Sequence, residues 1–93
     1  MALKHVYDLT KFKLSTVFLV SSKYVIPSFV VEIYPAGKDR YVVLCWYFGL
    51  MDLSFYKVFF VESNTVSAAV GAIVRDLEKE CGNIFDVVVE VVE

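Results

Sequence analysis

The segment from Arg40 to Phe48 has no polar side. Read as a strand, it puts Tyr41, Val43, Cys45 and Tyr47 on one face and Val42, Leu44, Trp46 and Phe48 on the other. A strand with one face in water alternates apolar with polar residues; a strand covered on both faces does not. The next segment repeats the pattern, with Phe55, Lys57, Phe59 and Val61 against Tyr56, Val58, Phe60 and Glu62. A fold for this chain must therefore cover both faces of its central strands.

Cover is scarce in the rest of the chain. One stretch follows the helical period: Val66, Val70, Ile73, Val74 and Leu77 fall at steps of three and four, and Ala69 and Cys81 extend the stripe. Ser63, Asn64 and Thr65 offer N-caps before it, and Gly82 stands where a left-handed residue ends a helix. The spacing predicts a helix over residues 64–82. Ala68, Gly71 and Ala72 make a second, small-residue side of that helix, read as ordinary packing room.

Strands are expected elsewhere. Valine occurs eighteen times, and Val, Ile, Phe, Tyr and Thr dominate between residues 14 and 62. The predicted strands run from about Thr10 to Ser21, Tyr24 to Tyr34, Arg40 to Phe48, Phe55 to Glu62 and Ile84 to Val92. Turns fall at Pro35 to Asp39, where Gly37 supplies positive φ, and at Gly49 to Ser54. Residues 1–9 fit either a short helix through Leu3, Val6 and Tyr7 or an edge extension. The last strand alternates cleanly, with Phe85, Val87, Val89 and Val91 on one side and Asp86 and Glu90 on the other. Short connections imply an antiparallel meander, and the helix carries the chain to the final strand. The expected fold is α+β in one domain over residues 1–93: a four-stranded antiparallel meander, one amphipathic helix across one face, and a C-terminal fifth strand.

One helix covers one face of such a sheet. Composition sharpens the problem, because 58% of the residues are apolar, against about 45–50% in ordinary domains. A domain this small hides only about 60–65% of its unfolded surface. The expected cover is a second copy of the same chain, packed sheet to sheet or closing a barrel across a two-fold axis. Leu44, Trp46, Phe48, Met51 and Phe59 are the residues expected to make that contact. Leu50 and Leu53, beside Met51, add apolar side chains to the same loop.

A membrane is the weaker outlet. Tyr41 to Met51 is uncharged over eleven residues, where a spanning helix needs about 20. Leu14 to Val31 is eighteen residues long but holds Lys23 and Pro27, and a central lysine costs roughly 2.5–3.5 kcal/mol on insertion. The start, Met-Ala-Leu-Lys-His, leads into no compact apolar block with a small-residue cleavage site, so no secretory signal is expected. The expectation is a soluble, cytoplasmic protein that associates with itself, or else with another protein, and has no membrane partner.

Conventional catalysis lacks its parts. His5 is the sole histidine, and Cys45 and Cys81 have no metal-ligand spacing. The two cysteines are read as thiols, with a disulfide between them left open. Asp86 and Glu90 stand roughly 13 Å apart along a strand, too far to share a metal or a proton. Asp76 and Glu80 lie one helical turn apart beside Arg75, Glu78 and Lys79, which reads as a solvated face. No glycine-rich phosphate loop and no nucleophile elbow occurs. The chain is expected to be no enzyme, with no cofactor and no metal.

The alternative is a binder of single-stranded nucleic acid, which uses aromatic platforms beside cations. Arg40, Trp46, Tyr47 and Lys57 would carry it, with Tyr24, Tyr34, Tyr41 and Tyr56 as further strand aromatics and Lys11, Lys13, Lys23 and Lys38 nearby. A net charge of −2 weighs against it. The chain has no Gln and only Asn64 and Asn83. Thermophilic proteins avoid these labile amides, so a small virus- or plasmid-encoded protein from a hot environment is the expected source.

Overall fold

A computed structural model describes residues 13–21, 28–49, 52–82 and 84–92. Its elements are β1 (Ser15–Val20), β2 (Phe29–Pro35), β3 (Arg40–Phe48), β4 (Leu53–Glu62), α1 (Val66–Cys81) and β5 (Val87–Val92). They form an α+β fold: a five-stranded antiparallel sheet in the order β4-β3-β2-β1-β5, with one helix among the described residues. The meander of four strands and the added C-terminal strand follow the sequence expectation. After β4 at one edge, α1 crosses back over the sheet and delivers β5 to the opposite edge, beside β1.

Local chemistry explains the element ends. Between β2 and β3, Gly37 (φ 125°) and Asp39 (φ 55°) take positive φ, and Ala36 N–H donates to the Arg40 carbonyl at 2.9 Å. Thr65 caps α1, its hydroxyl accepting from Ala68 N–H at 3.1 Å. Gly82 closes the helix in the left-handed region at φ 68°, and its N–H donates to the Glu78 carbonyl. The turn between β3 and β4 is shorter than the sequence suggested: Gly49 N–H reaches the Asp52 carbonyl at 2.8 Å, and β4 begins at Leu53. The β5 ladder starts at Val87, after Phe85 N–H has donated to the Glu78 carboxylate.

The core lies between α1 and one face of the sheet. Ala69, Val70, Ile73 and Leu77 of the helix are buried, and they meet Val17 and Leu19 of β1, Phe29, Val31 and Ile33 of β2, and Val43 and Cys45 of β3. Phe85 seals one end of this cluster and rings with Phe29 at 5.8 Å. Ala68, Gly71 and Ala72 are exposed on the outer side of the helix. No described helix is long and apolar enough to cross a membrane.

Candidate functional site

The pairing register decides which residues share the face opposite the helix. Glu32 pairs with Leu44 and Val30 with Trp46; Leu44 pairs with Val58, Val42 with Phe60, and Phe48 with Leu53. Alternation along each strand therefore groups Val42, Leu44, Trp46 and Phe48 with Val58 and Phe60. One irregularity lies opposite Cys45 and Trp46, where Lys57 pairs with Cys45 but Phe55 pairs with Trp46. The extra residue, Tyr56, is turned to the helix side, and Phe55 joins Trp46 on the other side, with ring centroids 5.4 Å apart.

This arrangement makes an apolar patch over β3 and β4. Phe60 is 79% exposed, Phe55 54% and Leu53 47%, beside the half-buried Val42, Leu44, Trp46, Phe48 and Val58. The middle of the face is more closed, with Thr16, Val30 and Tyr34 buried. Glu32 sits there and accepts three hydrogen bonds: Trp46 Nε1 donates to it at 2.8 Å, Lys13 Nζ at 3.3 Å and the Tyr34 hydroxyl at 3.4 Å. The indole is thereby fixed by a charge-assisted bond. At the rim, Arg40 faces Glu62 at 3.6 Å, with both side chains largely exposed.

Of the residues expected to contact a partner, Leu44, Trp46 and Phe48 are brought together on this patch. Phe59 is not. It pairs with Val43 and packs against the core on the helix side, because pairing with the inward Val43 turns Phe59 inward and Phe60 outward. Met51 lies outside the described residues, as do Leu50, His5, Lys11, Lys23, Tyr24 and residues 1–9. The patch members not singled out from the sequence are Leu53, Phe55 and Phe60.

The four residues expected for nucleic acid are divided between the two faces. Arg40 and Trp46 belong to the face opposite the helix, six residues apart on one strand, a span of roughly 20 Å. Tyr47 lies on the helix side against Phe29, centroids 5.7 Å apart. Lys57 is also on the helix side, ion-paired to Glu80 and over the Phe59 ring at 4.9 Å. Its pKa is held above the ordinary lysine value, chiefly by the hydrogen bond that the ammonium donates to the Glu80 carboxylate. Glu80 also receives the Tyr56 hydroxyl at 3.4 Å. It thus links α1 to the irregular part of β4 while staying on the exposed face of the helix, as its helical spacing suggested.

Both cysteines are free thiols. Burial, aided by the Glu80 charge and opposed by Lys57, pushes the Cys45 thiol up to about 12. Burial also raises Cys81. A thiol held protonated is a poor nucleophile. Among the described residues no three His, Cys, Asp or Glu side chains group to hold a metal ion. Comparison with known proteins gave no family model, no curated protein and no solved structure that matches this chain.

Proposed function

We propose that this chain is a non-enzymatic, self-assembling interaction module whose β3–β4 patch docks on the same patch of a second copy. The observation that carries the reading is the exposure of Phe60, Phe55 and Leu53 on a surface otherwise made of half-buried apolar side chains. Two strands of nine and ten residues span roughly 30 Å by 10 Å, or about 300 Å² in projection. That is the size of the largest apolar patch on a typical monomer, and such patches are often functional. The charges around it are internally matched: Glu32 by three donors and Arg40 by Glu62. Among the described residues, Glu32 and Arg40 on this face each have an opposite partner, whereas an identical apolar patch related by a two-fold axis is complementary without any charge.

The test is native mass by light scattering on wild type and Phe60→Ser. Phe60 contributes little to its own core, so the variant is expected to fold and to dissociate at least tenfold more readily. Equal masses and equal dissociation would remove the patch from the interface. Trp46→Ala is expected to weaken assembly as well, with a loss of stability because Glu32 loses its indole donor. The composition extends the reading to a cytoplasmic protein of thermophilic, viral or plasmid origin. A thermal midpoint within the mesophile range of about 45–65 °C would contradict the thermophilic part.

A further inference from the structure

A second surface lies at the other end of the sheet. β5 is an outermost strand, paired to β1 on one side and to no described strand on the other. All six of its residues are exposed, and five are valine. Such an edge offers a row of backbone donors and acceptors to any strand that arrives, and proteins usually blunt it with lysine, proline or an irregularity. The opposite edge, β4, is blunted by its extra residue and carries Lys57 and Glu62. β5 has no lysine, no proline and no irregularity in its pairing with β1; Glu90 is its one charge.

We propose that the outer edge of β5 pairs antiparallel with the β5 edge of a second copy, about a two-fold axis at Val89, so that two five-stranded sheets become one of ten. The occupant rests on the self-association reading; the surface does not overlap the β3–β4 patch. Charge selects the register. An antiparallel two-fold requires that opposed residues share a face, so the register moves only in steps that keep odd numbers opposite odd and even opposite even. With Val89 opposite the partner's Val89, Val87 faces the partner's Val91 and Val88 faces the partner's Glu90. Val87, Val89 and Val91 then form one unbroken apolar stripe across the joint. One step in one direction sets Glu90 against the partner's Glu90. One step in the other sets Asp86 against the partner's Glu90, twice by symmetry. Like charges directly opposed destabilise a strand pair, so of these three registers the Val89-centred one alone is free of them.

This register gives position 88 an unusual sign dependence. Val88 is exposed and turned to the helix side of the sheet, beside Glu90 and away from the open face. Val88→Lys creates two opposite-charge pairs with the partner's Glu90, and Val88→Glu creates two like-charge pairs. Both variants are checked for wild-type circular dichroism and then weighed by light scattering. Because the edge and the patch each join two copies, a chain using both exceeds two copies, and Val88→Glu reduces it to two while Val88→Lys keeps the full mass. If wild type has two copies and Val88→Glu has one, the edge holds and the patch reading fails. If Val88→Glu leaves a two-copy wild type unchanged, the edge proposal is overturned and the patch reading stands. A one-copy wild type overturns both. A second measurement works without a change of charge: Val89→Cys in a Cys81→Ser background should form an intermolecular disulfide on mild oxidation. Residues opposed in an antiparallel pair have Cα atoms about 4.5–5.5 Å apart, within disulfide reach. Glu90→Cys, two residues out of alignment with its own copy, should not link. Linking of both, or of neither, contradicts the register.

Discussion

Cys45 is wholly buried under α1, and burial pushes its thiol from 9.0 up to about 12. An unfolded chain releases that proton near pH 9, whereas the folded chain keeps it. The stability contributed by the protonated thiol is therefore complete below pH 9 and is lost as the pH climbs toward about 12, at no more than about 1.4 kcal/mol per pH unit. Urea midpoints of wild type and Cys45→Ala, compared at about pH 8 and 10.5, should converge as the pH rises. Parallel curves would contradict the shift. Ser15 presents a different buried group, a hydroxyl without a hydrogen-bond partner among the described residues. Its removal relieves a desolvation cost, so Ser15→Ala should be neutral or stabilising by up to about 1 kcal/mol. A clear loss in thermal midpoint would show that the hydroxyl is bonded. Neither environment could be read from the sequence, because both depend on which strand face the helix covers.

The helix is the element whose sequence signals and structure agree most closely. The Thr65 hydroxyl satisfies an N–H that the first turn leaves open, so Thr65→Ala should cost about 1 kcal/mol by denaturant unfolding, and Thr65→Ser should restore most of it. An Ala variant as stable as wild type would show that the cap contributes nothing. The apolar stripe, the cap and Gly82 were all visible as spacing and residue type, and so were β3 and the turn at Gly37. The faces of β4 were not. Phe59 and Phe60 are equivalent in any propensity or alternation pattern, and only pairing with Val43 and Val42 separates them. The extra residue at Tyr56 breaks the alternation again, and its neighbours are non-local, Tyr56 and Lys57 both reaching Glu80 on the helix. In β5 the alternation was legible but not its direction. The register with β1 turns Val87, Val89 and Val91 to the face opposite the helix, while Phe85, outside the ladder, enters the core.

For the whole molecule, the exposed large apolar side chains among the described residues gather mostly in two separate places. One helix covers the centre of the sheet, and exposed apolar side chains collect at the two outer strands, β4 and β5. The conflict between strands apolar on both faces and a single covering helix was legible at the start; the hydrogen-bond network at Glu32 was not, since it joins Lys13, Tyr34 and Trp46 from three parts of the chain. Apolar association resists salt, whereas nucleic-acid binding weakens steeply with it. The most direct measurement is therefore the native mass of the wild-type chain by light scattering after size exclusion, at low and at high salt. Self-assembly through apolar surfaces predicts two or more copies of the 10.6 kDa chain, unchanged by salt. A single copy at micromolar concentration under both conditions would contradict it.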